Sequence, residues 1–273
     1  MEKVPPAIPF EEIYAGTELH DEAVEALLEE GLDPRGPDML FDLAGELGLA
    51  RGQLVVDVGC GDGKKALELA KRFGCRVIGV EPIRANLERR QREPVETEPV
   101  TFVQGRIEAI PLPYATADLV WARDMLVHVP DLVAGLRECR RVLKRDGRLL
   151  AFQMFATPWL EPAEASRLWP ALAVLPQNVD PEHFEASAQA AGLTVARREE
   201  VRSEWREWEE EHGNRRTSRQ LLHAARLLRD PARYIERFGR TAYEVELADC
   251  LWGVYQMVGK LSPRVYVLKP SWA

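Results

Sequence analysis

Hydrophobic positions fall into two kinds of stretch along this chain. Short unbroken apolar runs end at acidic residues: Leu54-Val55-Val56 runs into Asp57, and Val77-Ile78-Gly79-Val80 runs into Glu81. Such runs predict strands buried on both faces, as in a parallel sheet. Between them Ala66, Leu69, Ala70 and Phe73 recur at helical spacing, and Gly74 follows where a helix end favours glycine. Upstream, helices are predicted around Asp21–Glu30, broken by Gly31 and Pro34, and over Pro37–Leu49. Downstream, Asp180-Pro181 supplies a cap and a first-turn proline for a helix reaching about Ala191. Gly192 ends it, and Leu193–Val201 reads as a strand. Ser203 to Gly259 is a charged, aromatic helical region, and Arg264-Val-Tyr-Val-Leu-Lys-Pro closes as a short strand.

The turn after the first strand carries the chemistry. Glycines stand at 59, 61 and 63, two residues after Asp57 and at alternate positions. They let the backbone turn sharply and let a ligand approach main-chain atoms. A dinucleotide fingerprint needs its third glycine three residues after the second; that position is Lys64. Asp57-x-Gly59-x-Gly61-x-Gly63 instead resembles the first motif of the class I S-adenosylmethionine-dependent methyltransferases. Glu81 stands about 20 residues behind the first glycine, where a carboxylate can accept from both ribose hydroxyls. Residues 100–113 resemble that family's third strand and adenine-facing loop, 118–123 its fourth strand, and Leu143–Phe155 its helix, loop and fifth strand with Gly147 inside. The resemblance covers about residues 35–155 in order.

The resemblance implies an α/β fold: a doubly wound, seven-stranded, mostly parallel sheet with a helical insertion. It implies an enzyme that binds S-adenosylmethionine and releases S-adenosylhomocysteine. The residues it assigns to the cofactor are Arg35, Asp57, Gly59, Cys60, Gly61, Gly63, Glu81, Pro82, Arg106, Ile107, Glu108 and Arg123. The family usually has Asp at the position of Arg106, and arginine cannot accept a bond from the adenine amino group. Backbone at Ile107, the carboxylate of Glu108, and stacking on the guanidinium are the three alternatives.

Composition narrows the partners. The 273 residues are 46% hydrophobic and 29% charged, with a formal net charge of −8. An acidic chain argues against a broad nucleic-acid footprint. Cys60, Cys75, Cys139 and Cys250 lack C-x-x-C spacing and read as reduced thiols, not as a disulfide framework or zinc site. No metal is expected. The N-terminus lacks a basic, apolar, small-residue leader and no apolar stretch reaches spanning length, so a cytoplasmic protein with no membrane partner is expected. Oligomeric state is left open.

Three segments organise the expectation: an N-terminal helical extension or lid over 1–34, a cofactor-binding core over 35–202 and 260–273, and a helical substrate cap over 203–259. An insertion of that length before the last strand is too long for a plain loop. Its Trp205, Trp208, Tyr234, Tyr243, Trp252 and Tyr255 either line an apolar pocket or pack the cap onto the core. After the fourth strand, Arg123-Asp124-Met-Leu-Val-His128 resembles the Arg-Asp-x-x-Leu-His segment of phosphoethanolamine-type N-methyltransferases, with Val127 in the place of Leu. That likeness implies Arg123 on the cofactor, Asp124 on the substrate amine, and His128 paired with a tyrosine of the extension, here Tyr14. His128 reads as a general base or as a structural histidine, and Tyr14 as a lid residue or an ordinary packing residue. Those enzymes also carry a Ser-x-Gly-Gly-like turn. Pro34-Arg35-Gly36-Pro37 stands in its place, with Arg35 either on the cofactor carboxylate or exposed.

The activity expected is methyl transfer to an O or N atom of a small-molecule acceptor. The alternatives are a nucleic-acid or protein methyltransferase, and a non-catalytic protein that binds the methyl donor. A chain of this acidity, with Ala-Arg-Asp where Asn/Asp-Pro-Pro-aromatic would mark a nucleic-acid enzyme, disfavours the first.

Overall fold

The computed structural model describes residues 8–10, 22–30, 33–91 and 99–271. The chain divides into two compact units, 1–34 and 35–273. In the first, one helix is described, α1 (Glu22–Leu28); Tyr14 lies outside the described residues.

The second unit is built on seven strands: β1 (Leu54–Val58), β2 (Arg76–Glu81), β3 (Val100–Gln104), β4 (Ala117–Arg123), β5 (Leu143–Ala156), β6 (Leu193–Glu200) and β7 (Leu261–Pro270). They form one sheet in the order β3-β2-β1-β4-β5-β7-β6. All neighbours are parallel except β7, which runs antiparallel to both β5 and β6. The expected seven-stranded, mostly parallel sheet is therefore present.

Alternate residues of the central strands supply two separate cores. Val55, Leu119, Trp121, Leu150, Phe152, Val265 and Val267 pack on one face against α2 (Met39–Glu46) and α3 (Lys64–Phe73). Val56, Val58, Val120, Ala122, Leu149, Ala151 and Tyr266 pack on the other, against α5 (Leu132–Val142) and α7 (Pro181–Ala190). Burial on both faces is why these strands read as continuous apolar runs. A short polar helix, α4 (Arg84–Gln91), follows β2.

Two segments differ from expectation. Leu143–Phe155 is not helix, loop and strand: α5 ends at Val142 and β5 runs unbroken from Leu143, its pairing with β4 shifting between Ala117 and Leu119. At Gly147 a Cβ would stand 2.9 Å from the Ala117 carbonyl, so glycine allows that close approach. Between β5 and Asp180, where the hydrophobic pattern is irregular and predicts no element, stands a helix, α6 (Pro162–Ala171), opened by a capping box between Glu161 and Glu164. Pro170 near its end blurs the helical pattern in the sequence.

Because β7 opposes its neighbours, Leu261 pairs with Ala156 at the finishing end of β5. β6 is parallel to β5, so it finishes at that same edge. Whatever lies between β6 and β7 therefore emerges where β1, β2 and β4 also end. Four helices occupy that connection: α8 (Glu204–Glu211), α9 (Arg216–Arg229), α10 (Pro231–Phe238) and α11 (Arg240–Met257).

Candidate functional site

Ligands of open α/β sheets bind beyond the carboxyl ends of the strands, and the first half of the site is the turn after β1. Gly59, Gly61 and Gly63 have φ of 69°, 57° and 75°, conformations that side chains disfavour. The Gly59 amide donates to the Val80 carbonyl at 2.8 Å, tying the turn to β2. A Cβ at Gly61 would meet no atom within 4 Å, so its backbone borders open space. Glu81, buried at the end of β2, braces the turn: Oε2 accepts from the Gly61 amide at 2.9 Å. Oε1 accepts from the Ile83 amide at 3.0 Å and from Asn86 Nδ2 at 3.1 Å.

Asp57 lies under the same turn with 3% of its surface exposed, and its Oδ2 has no donor. Burial pushes its carboxyl up to about 7; Glu81 adds repulsion, and Arg123 pulls the other way. Cys60 is buried in the turn, and its thiol is pushed up by burial and by Asp57. Pro82, the residue after Glu81, is exposed. In the loop after β3, Arg106 is exposed and lies 3.7 Å from Glu108. Ile107 is buried and would be the first contact of a Cβ at Gly135. Of this trio, Arg106 and Glu108 leave side-chain surface open, and Ile107 serves the core.

The second half follows β4. Asp124 adopts the left-handed conformation at φ 55°, its amide bonded to the Phe152 carbonyl at 2.9 Å. This turns the chain into a single 3-10 turn, Leu126–His128. Asn178, 1% exposed, holds that turn: its Nδ2 donates to the carbonyls of Leu126 at 2.9 Å and Val129 at 2.8 Å. Gln153 of β5 in turn donates to the Asn178 carbonyl at 2.9 Å. His128 Nδ1 lies 2.9 Å from the Ala173 carbonyl. A carbonyl only accepts, so Nδ1 carries the proton and neutral His128 keeps a lone pair on Nε2.

A cavity of about 330 Å³ opens beyond β4 and β5. Arg123, Asp124, His128, Phe152 and Met154 line it from the sheet; Trp205, Arg206, Glu209, Arg216, Gln220, Asp249, Trp252 and Gln256 line it from the inserted helices. Trp205 stacks on Phe152 with centroids 4.1 Å apart and planes 4° from parallel, and Arg123 lies over its ring at 5.7 Å. Desolvation pushes the Asp124 carboxyl up, against the pull of Arg123, His128 and Arg206.

The aromatic residues of the insertion divide. Trp205 and Trp252 line this cavity, while Tyr234 and Tyr243 line a separate apolar recess with Phe238. Trp208 stacks on His212, and Tyr255 lies under Lys260. Beside the second recess, His223, Glu246 and Cys250 bring their donor atoms within 4.8 Å of one another, a grouping that the cysteine spacing does not reveal.

Arg35 needs correction. Its guanidinium donates to Glu204 at 2.7 and 2.6 Å, to Glu199 at 2.5 Å and to the Glu200 carbonyl at 2.8 Å. A fork so occupied joins the start of the second unit to β6 and α8 instead of reaching the glycine turn. Sequence reasoning also missed Asn178, Gln153, Arg206, Arg216, Gln220 and Asp249. Asn and Gln inside predicted loops and helices carry no local signal, and a charged helix reads as a solvated one.

A strand, a glycine turn, acidic strand ends and this strand order together define a doubly wound α/β protein whose glycine turn lies at the carboxyl edge of its sheet. Residues 56–151 match the protein family described as "Methyltransferase domain". The matched stretch runs from β1 to β5 and contains the glycine turn, Glu81, Arg106 and Arg123. It is 30% identical over 164 residues to 27-O-demethylrifamycin SV methyltransferase of Amycolatopsis mediterranei (strain S699), 58% of this chain and 60% of that one. It is 28% identical over 198 residues to dimethylglycine N-methyltransferase of Parasynechococcus marenigrum (strain WH8102), 68% of this chain and 67% of the relative. The chain thus spans 60% and 67% of the lengths of these two relatives. Among solved structures, the [4+2]-cyclase SpnF shares the fold with a TM-score of 0.64 at 21% identity, over 86% of this chain and 81% of the other. Among the described residues, no helix is long and apolar enough to cross a membrane.

Proposed function

We propose that this protein transfers a methyl group from S-adenosylmethionine to an oxygen or nitrogen atom of a small-molecule acceptor, releasing S-adenosylhomocysteine. One observation carries the reading: Arg123 belongs to both halves of the site. Its charge acts on Asp57 beneath the glycine turn, and its side chain lines the cavity. The donor's pocket and the acceptor's cavity therefore share a wall. By their names, the two relatives act on 27-O-demethylrifamycin SV and, at nitrogen, on dimethylglycine, which supports a small-molecule acceptor.

The residues present fit the methyl donor. The Asp57 oxygen without a partner and the Glu81 carboxylate make an acidic end suited to a cationic ligand with hydroxyl groups. The open space at Gly61 admits such a ligand against main chain. In this reading Asp57, Gly59, Cys60, Gly61, Gly63, Glu81, Pro82 and Arg123 bind the donor, and the loop at Arg106, Ile107 and Glu108 faces its adenine. When bound, the donor supplies a methyl group whose leaving group is a neutral thioether. The protein's work is then to orient the acceptor, exclude water and take up a proton. Orientation alone is worth several kcal/mol. His128 is held through Nδ1 by Ala173, so Nε2 is free to accept the proton that a hydroxyl or ammonium acceptor sheds. Asp124 touches the acceptor from the same wall, and residues 203–259 act as its cap.

The test is calorimetric titration with S-adenosylmethionine, followed by an S-adenosylhomocysteine release assay across phenols, amines, carboxylic acids and sugars. Saturable donor binding and release with one acceptor class are expected. His128→Ala should then lower turnover by about a hundredfold where the acceptor carries a proton, with donor affinity unchanged. No heat of donor binding would overturn the reading. Donor binding without release for any acceptor would transfer it to a non-methylating role, of which a cyclase on this fold is an example by name.

A further inference from the structure

The cavity contains an arginine whose setting is unusual for a half-buried charge. Arg206, on α8, is partly enclosed, and desolvation together with the neighbouring Arg216 pulls its pKa down. Buried charges are normally paired with opposite charge. The two bonds of Arg206 go instead to neutral amides: Nε donates to Gln256 Oε1 at 2.7 Å and Nη1 to Gln220 Oε1 at 3.2 Å. Among the described residues, no carboxylate lies within ion-pair distance of it and nothing accepts from Nη2. Asp124, Glu209 and Asp249 line the same cavity and act on it only at longer range.

Arg216, the first residue of α9, lines the same cavity, and its side chain has neither hydrogen bond nor ion pair among the described residues. Two guanidinium groups near one another with no shared anion repel. The main-chain amides at that helix start are already engaged: Glu210 Oε1 accepts from Thr217 at 2.9 Å and from Ser218 at 3.1 Å. The arginines, not the helix end, are therefore what the cavity offers to a negative group.

The supporting amides are themselves fixed. Gln220 is 7% and Gln256 3% exposed. Gln220 Nε2 donates to the Asp249 carbonyl at 3.1 Å, and Gln220 sits so close to α11 that a Cβ at Gly253 would stand 1.9 Å from its Oε1. Glycine at 253 permits a rigid neutral cradle that orients Arg206 without neutralising it. A guanidinium held this way is prepared for bidentate binding of a planar or tetrahedral oxyanion.

We infer that the acceptor carries an oxyanion, a carboxylate or a phosphate monoester, and that Arg206, helped by Arg216, binds that group within the cavity. This rests on the cavity being the acceptor site, and it narrows the acceptor to small acids. The opposite walls divide the work: the inserted helices hold the acid group, and the Asp124–His128 wall of the sheet faces the atom to be methylated.

The test begins without the donor. Trp205 and Trp252 line the cavity, so intrinsic fluorescence reports on its contents. Inorganic phosphate and acetate, titrated separately at fixed ionic strength, should give a saturable change with one or both, and the better of the two names the oxyanion. Arg206→Met should weaken that binding at least about tenfold, as loss of a charge-assisted hydrogen bond does. Arg206→Lys should retain part of it. Arg216→Met, at an exposed position, should weaken it less. The release assay then compares matched acceptors with and without the acid, such as an amino acid against its amide and a phosphorylated amino alcohol against the free one. The acid member should react, with a KM raised at least about tenfold in Arg206→Met and donor affinity unchanged. Equal anion binding in wild type and Arg206→Met, or equal turnover of acid and amide, overturns the inference and leaves methyl transfer standing. Arg206-dependent anion binding in a protein that shows no donor binding sustains the inference about the cavity and defeats the reading as a methyltransferase.

Discussion

Replacing Glu81 with alanine removes one acceptor from three donors at once: the amides of Gly61 and Ile83, and Asn86 Nδ2. Each such bond to a charged acceptor contributes about 1.5–3 kcal/mol net. Against that loss stands the relief of a buried negative charge 4% exposed and repelling Asp57. The balance is a destabilisation of about 2–3 kcal/mol, or a fall in Tm of roughly 5–10 °C for a chain of this size. The carboxylate has about four acceptor positions, and three are already engaged by protein donors. In this conformation one acceptor position on Oε2 is left for a ligand hydroxyl. Donor affinity should therefore fall through two routes, a lost ligand bond and a slackened turn at Gly61, together about 10–100-fold. Glu81→Gln keeps one oxygen and the side-chain volume, so it should lie between wild type and alanine in both measurements. Thermal melts alongside calorimetric titration with S-adenosylhomocysteine check this. A lowered Tm with an unchanged dissociation constant would make Glu81 a clamp on the turn and nothing more; no change in either would refute the argument.

Three further outcomes are expected. The Asp57 carboxyl, raised to about 7 from the ordinary carboxylate value, binds more protons in the native state than in the unfolded one, so the free protein loses stability as pH rises from about 4 through 7. The ionised form is the one that suits a cationic ligand, so donor affinity should rise with pH across about 7 and flatten in Asp57→Asn, read by titrations on either side of that pH. Gly61→Ala should lower stability by about 1–2 kcal/mol from backbone strain alone, since the added Cβ meets no protein atom; donor affinity should fall by more than the melt accounts for, and a purely thermal defect would show that the space at Gly61 is not a ligand's. Asn178→Ala frees the carbonyls of Leu126 and Val129 that bracket His128, so it should reduce turnover with donor affinity preserved, and an unaltered kcat would show that the turn needs no such brace.

What was legible in the sequence follows from where the physics is local. Strands buried on both faces announce themselves as unbroken apolar runs, and a turn with three positive φ angles demands its glycines, so β1, β2 and the turn at 59–63 could be read directly. Glu81 was legible as a carboxylate at a strand end, but its three protein partners were not, because Ile83 lies in the bend after β2 and Asn86 in the first turn of α4, a polar helix whose placement no hydrophobic pattern fixes. Arg35 misled: an arginine beside glycine and proline looks free to reach a ligand, yet Glu199 and Glu204, distant in sequence, enclose its fork. The helix at Pro162–Ala171 was hidden by a proline within its own last turn.

The cavity beyond β4 and β5 was hidden for a different reason. Periodicity assigns a helix one inner face and one outer face, and in α8 the buried residue is Trp205, which stacks on Phe152 of the sheet. The adjacent Arg206 then falls where the pattern expects solvent. The strand order overturns that expectation, because β7 returns between β5 and β6 and brings the whole connection to the carboxyl edge of the sheet. Helices placed there meet a second interior, polar and open to a ligand, bounded by Arg123, Asp124 and His128 on one side and by α9 and α11 on the other. Hydrophobic patterning is silent about residues that face such an interior, and an arginine bonded to two neutral amides comes into view only once the connecting helices are folded over the edge of the sheet.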